Sequence, residues 1–228
     1  MLATLLISGL LLGIKHALEA DHVAAVASLA TRAGSSVDQT IRLGAAWGLG
    51  HASTLFLFGG AVLFFNTLVP EEVAQSLEFV VGAMLLLLGA DALRRSLGQR
   101  WRPTRADRLV RERAHHPRAK TGEDGVPSPL MAFMVGMVHG LAGTAALVML
   151  SLGAAGSTFL GLLYILVFGI GSTASMAALS FAIALPMQRS MPALKSIQAT
   201  LQPLVGMVTA ALGIAVMIQI GIPGPLMR

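Results

Sequence analysis

The chain has 228 residues, 55% of them hydrophobic and 25 of them glycine, with only 12% charged. Its mean hydropathy of +0.75 excludes an ordinary soluble domain. It has no cysteine, which excludes disulfides, thiolate metal sites, iron–sulfur clusters and dithiol relays, and leaves N, O or thioether ligands for anything it binds.

A spanning helix needs about 20 apolar residues to cross a hydrocarbon core ~30 Å thick. Six stretches qualify: residues 2–30, 41–66, 73–97, 129–153, 156–186 and 200–222. The chain therefore reads as an all-α membrane protein with six transmembrane helices, and the bilayer as its first partner. The apolar start at Leu2 to Ile14 is expected to be a span and not a secretory signal, because no basic region precedes it. Between the third and fourth spans lies one long polar segment, Gln99 to Pro127, carrying seven arginines and Lys120. The net charge of +5 is concentrated there, so it reflects topology and not a nucleic-acid partner. Placing that loop in the cytoplasm puts 14 of the 16 Lys and Arg on the same side and both termini outside.

The two halves resemble each other. Gly13-Ile-Lys-His16-Ala-Leu matches Gly136-Met-Val-His139-Gly-Leu at an offset of 123, and Ser28-Leu29 then meets Ser151-Leu152. Trp47-Gly-Leu-Gly50-His51 matches Phe168-Gly-Ile-Gly171-Ser172 at an offset of 121. The expected organisation is a first three-helix repeat (1–98), a basic cytoplasmic loop (99–128) and a second three-helix repeat (129–228). Because each unit has an odd number of spans, the second copy is inserted upside down, giving an inverted-topology repeat with its substrate near the midplane.

His16, His22, His51 and His139 fall inside the expected spans, with Lys15, Glu19 and Asp21. A central Asp or Lys costs about 2.5–3.5 kcal/mol on insertion scales, so such groups face protein, water or a ligand. At about 100° per residue the polar groups of the first span cover well over half its circumference. That helix is either enclosed by others or broken here. Lys15 and Glu19, at i and i+4, are expected to pair. The histidines recur in one frame, Gly13-x-x-His16, Gly48-x-x-His51 and Gly136-x-x-His139, with Ser172 at the fourth place. Glycine one turn away lets helix backbones approach closely and brings the histidines together. Neutral imidazoles with a carboxylate suit Ni²⁺, Co²⁺, Zn²⁺ or Cu²⁺ and not Mg²⁺ or Ca²⁺. The expected metal site is His16, Asp21, His22, His51 and His139, supported by Lys15, Glu19, Ser53, Thr54 and Ser172. Met131, Met134 and Met137 are read as packing residues and His115-His116 as loop residues. No zinc-protease, nucleophile-elbow or phosphate-loop motif is present, so neither an enzyme nor an ATP-driven pump is expected, and no resident cofactor.

His16-Ala-Leu-Glu-Ala-Asp21-His22 closely resembles the H-x4-D-H signature of the nickel/cobalt transporter (NiCoT, or NicO) family and its UreH-like, urease-accessory relatives. Trp47-Gly-Leu-Gly50-His51-Ala-Ser-Thr54 resembles their second signature, and Gly136-Met-Val-His139-Gly-Leu-Ala-Gly-Thr144 the second-half motif of the UreH-like branch. Glu19 stands where an Asp is usual, Ala52 interrupts the Gly-His-Ser pattern, and six spans replace eight. The resemblance implies a cytoplasmic-membrane permease for Ni²⁺ or Co²⁺ that supplies metalloenzymes such as urease or hydrogenase, with His16, Asp21, His22 and His51 at the metal-handling positions. Two alternatives remain. One is an accessory protein that docks metalloenzyme maturation proteins on its basic loop without transport; the other is an exporter of metal or of a small anion.

Overall fold

The computed structural model describes residues 2–30, 36–65, 70–100, 128–142, 157–188 and 192–221. Among these residues every regular element is a helix: α1 (Leu2–His16), α2 (Ala20–Ala30), α3 (Val37–Phe65), α4 (Glu71–Arg100), α5 (Pro129–Ala142), α6 (Thr158–Gln188) and α7 (Pro192–Gly221). The basic loop beyond residue 100 and the Ser151-Leu152 match lie outside the described residues.

Several helices begin on a cap that the sequence supplies. Ser36, Ser128 and Ser157 each stand just ahead of a helix and accept a hydrogen bond at Oγ from the N–H three residues on, at 3.1 Å from Gln39, 3.1 Å from Met131 and 3.3 Å from Leu160. Each satisfies one of the N–H groups a helix start leaves open. Pro70 precedes α4, whose first turn holds Glu71 and Glu72, where the helix dipole favours negative charge.

Among the described residues four helices are long and apolar enough to cross a membrane: α3, α4, α6 and α7 over Thr200–Gly221. A fifth span arises if α1 and α2 are taken together; they meet at a break with their axes bent by 58°. The expected first span at 2–30 is thus broken, the second of the two outcomes its polar arc allowed. Its neighbour α5 is shorter, since the expected span to residue 153 runs beyond the described residues. The outside of the bundle is apolar, with Phe64, Phe65, Leu87 and Phe159 about 70% exposed or more. Such a surface is stable against lipid and not against water.

Helices α3 and α6 are the most enclosed spans; they pack on each other, α5 on α3, α1 on α6, and α4 on α7. Glycines set how closely. A Cβ added at Gly13 would overlap the carbonyl of Phe168, and one added at Gly136 the carbonyl of Trp47. Since Gly13 aligns with Gly136 and Trp47 with Phe168, these are the same contact seen from either half. The pair Gly50 to the Phe133 carbonyl and Gly171 to the Leu10 carbonyl is exchanged in the same way. In α4 and α7, Cβ atoms built at Gly82 and Gly213 would meet each other's carbonyl oxygens at 3.0 and 2.5 Å, and those built at Gly89 and Gly206 at 2.7 and 3.0 Å. Small residues at such crossings let backbones pack directly, which is how apolar helices associate in lipid.

Candidate metal centre

The site is built where α1 stops. His16 is the last residue of α1; Ala17, Leu18 and Glu19 form a tight turn in which the N–H groups of Leu18 and Glu19 donate to the carbonyls of Lys15 and His16, both at 3.0 Å. Helix α2 then starts, with Asp21 in its first turn, where a carboxylate is favoured by the helix dipole. The break turns Glu19 towards His16, whose Nδ1 lies 2.9 Å from Glu19 Oε2. The expected Lys15–Glu19 pair is therefore replaced: its i,i+4 geometry needs a continuous helix, and Lys15 is exposed.

Asp21 binds two histidines from opposite halves of the chain. Its Oδ1 lies 2.9 Å from His22 Nδ1 and also accepts the His22 backbone N–H, while Oδ2 lies 3.1 Å from His139 Nε2. A carboxylate can only accept, so His22 carries its proton on Nδ1 and His139 on Nε2. His22 Nε2 and His139 Nδ1 are left as lone-pair nitrogens, and both are buried without a hydrogen-bond partner among the described residues. His51, at the middle of α3, is fully buried and neither of its ring nitrogens has a partner among the described residues. A buried polar atom left unpaired costs ~1–3 kcal/mol, so several at one place call for a ligand.

The rings converge. Centroids of His16 and His22 are 4.4 Å apart, of His22 and His51 5.2 Å, of His16 and His51 5.4 Å, and of His22 and His139 4.2 Å. One donor atom from each of His16, His22 and His51 lies within 4.8 Å of the others, and the same holds for Asp21, His22 and His139. Metal–nitrogen bonds of about 2.0–2.1 Å would draw such donors inward by ~1 Å. Carboxylates behind His16 and His22 orient the rings, as outer-shell carboxylates do for metal-bound histidine.

All five expected ligands are thus together, and the supporting residues divide. Ser172 is fully buried with its Oγ unpartnered among the described residues. Ser53 and Thr54 donate to the carbonyls of Leu49 and Gly50, one turn back in their own helix, at 2.7 and 3.2 Å. Those hydroxyls are engaged where they stand. Met131 and Met134 are half exposed, so the packing expected of them is not in the core. Two walls of the site escape sequence reasoning. Trp47 lies 5.8 Å from the His22 ring and 5.5 Å from His139, and Phe168 lies 5.3 Å from His16. Trp47 and Phe168 occupy equivalent positions in the two halves, and that equivalence was the available signal.

A family model described as the transmembrane region of cytochrome c biogenesis protein matches residues 26–215. A urease accessory protein UreH from Bacillus sp. (strain TB-90) is 33% identical over 221 residues, covering 97% of this chain and 93% of the relative. The chain belongs to this family, as a UreH-like member. A chloroplast protein of Arabidopsis thaliana, FOR GROWTH AND FERTILITY 1, is 27% identical to the UreH-like chain over 179 residues, 75% of the chain and 47% of the plant protein. No solved structure matches.

Proposed function

We propose that the protein is a secondary transporter carrying a divalent transition-metal ion, Ni²⁺ or else Co²⁺, across the cytoplasmic membrane to supply metalloenzymes such as urease. One observation carries the reading: imidazoles from separate helices converge at a helix break, with His22 Nε2, His139 Nδ1 and both nitrogens of His51 buried and unpartnered among the described residues. A nitrogen-rich donor set favours late first-row dications, and a broken span frees backbone beside a midplane site. The name of the Bacillus relative, a urease accessory protein, agrees with delivery to a metalloenzyme. The exchanged glycine contacts support six spans arranged as two inverted three-helix repeats that rock about the site. Positive-inside counting supports a cytoplasmic basic loop and external termini. Inward movement of a dication is then favoured by ~2.3 kcal/mol per charge per 100 mV, inside negative, and needs no nucleotide.

The test is uptake of radioactive Ni²⁺ and Co²⁺ into proteoliposomes with an imposed inside-negative potential. Saturable, potential-dependent uptake is expected, and His22→Ala should reduce it by more than the ~10–100-fold typical of losing an outer-shell group. Tight, His22-dependent binding without flux would replace transport by an accessory role. Deleting residues 100–120 separates the two readings further: transport should survive the loss of the basic loop, whereas a docking role would not.

A further inference from the structure

The donor atoms at the helix break fall into two sets. His16, His22 and His51 make the first, and Asp21, His22 and His139 the second. His22 belongs to both, and its two nitrogens have different surroundings: Nδ1 lies 2.9 Å from Asp21 Oδ1, whereas Nε2 is buried and without a partner among the described residues. The first set comes from α1, α2 and α3; the second reaches from α2 to α5 in the other half of the chain.

We propose that His22 is shared by two successive stations for one divalent transition-metal ion, the first formed by His16, His22 and His51 and the second by Asp21, His22 and His139. As a sequence of events this rests on the transport reading; as two binding sets it does not. The first station is ready for a cation. Glu19 and Asp21 each engage the Nδ1 of the neighbouring histidine, which leaves Nε2 of His16 and of His22 as the lone-pair nitrogens, and both nitrogens of His51 are unpartnered. The second is closed by protons, since the atoms that would ligate there are those joined in the Asp21 hydrogen bonds to His22 and His139. When the ion passes from Nε2 to Nδ1 of His22, a water molecule entering with the ion accepts the Nδ1 proton and another proton is returned by water to the vacated Nε2. At His139 water likewise takes the Nε2 proton and returns one to Nδ1, which is unpartnered among the described residues. Each ring ends with one proton, so no net proton is consumed. The carboxylate adds a full negative charge at the second station that the three neutral imidazoles of the first lack, which draws the ion onward. Because the second station bridges the halves, filling it replaces a hydrogen-bonded link between them by a metal-ligated one.

Co²⁺ binding to the purified full-length protein in detergent tests this, with variants first checked for folding by size exclusion and circular dichroism. His51→Ala and His139→Ala should each keep affinity within about tenfold of the parent, because each leaves one station whole, while the double variant and His22→Ala lose more than ~100-fold. The visible spectrum of bound Co²⁺ should be that of an all-nitrogen site in His139→Ala and of a mixed nitrogen and carboxylate site in His51→Ala. If either single variant loses as much as the double, or both give the same spectrum, there is one site and the proposal fails. His51→Asn and His139→Asn repeat the comparison with smaller changes in volume. Should the parent carry no flux yet show this pattern, transport falls and the two stations stand; flux without the pattern is the reverse.

Discussion

Valine at Gly136 is expected to keep the two halves of the protein from closing on each other. A Cβ at this position overlaps the carbonyl of Trp47, and the indole Cδ1 of the same residue lies 2.5 Å away. A carbonyl oxygen in mid-helix cannot rotate aside, so α5 must move off α3 and take His139 away from Asp21 with it. Ordinary core overpacking costs ~1–3 kcal/mol, and a clash against backbone with two methyls more should exceed that. Gly60 provides the control, because its added Cβ would meet only the Cδ2 atom of Leu162, at 3.0 Å, which a side-chain rotation relieves. Thermal unfolding in detergent, followed by the monodisperse fraction, should place Gly136→Val far below the parent and Gly60→Ala close to it. Gly13→Val should behave like Gly136→Val, as it overlaps the carbonyl of Phe168 in the equivalent position. Equal stability of Gly136→Val and Gly60→Ala would mean that α3 and α5 are not in backbone contact.

The histidines at this crossing were legible in the sequence because membranes make polar residues conspicuous: His16, His22, His51 and His139 each needed a partner, and the frame of a preceding glycine put His16, His51 and His139 at helix crossings. The spans at α3, α4, α6 and α7 were legible for the complementary reason, their uninterrupted apolarity. The break after His16 was only half legible. Ala17, Leu18, Glu19 and Ala20 are all good helix formers, so local propensity argues for continuity and only the breadth of the polar arc argued against it. Once the helix breaks, the pairing rule that joined Lys15 to Glu19 has no helix to act on, and Glu19 meets His16 instead. Asp21 was legible as one member of the expected metal site but not as the link to His139, which is 118 residues away with no local pattern pointing to it. Ser53 and Thr54 looked available for the same want of context, although hydroxyls inside a membrane helix commonly bond the preceding turn, as these do.

Asparagine at Asp21 changes few atoms and is expected to have a large effect on the site. The carboxylate now accepts from His22 Nδ1 through Oδ1 and from His139 Nε2 through Oδ2. An amide keeps one accepting oxygen but turns the other position into an NH₂ donor, which faces an imidazole N–H from one of the two histidines. That ring must either move away or exchange its proton to the other nitrogen, and in both cases it leaves the orientation that aims a lone pair at the cluster. For His22 this misdirects a donor common to every ligand set at the break; for His139 it severs the hydrogen bond between α2 and α5. Loss of an outer carboxylate typically weakens metal binding by about 10–100-fold, and a fall of that size is expected for Co²⁺ at the histidine set. Flux should fall further than affinity, because the link between the halves goes with it. The comparison with Asp21→Ala is informative: alanine leaves two imidazole N–H groups and the His22 backbone N–H unpaired but no opposing donor, so it should bind Co²⁺ no more weakly than asparagine. Equilibrium dialysis of both variants checks this, and affinities within about twofold of the parent, well short of the usual outer-shell loss, would mean that Asp21 neither orients His22 nor joins it to His139.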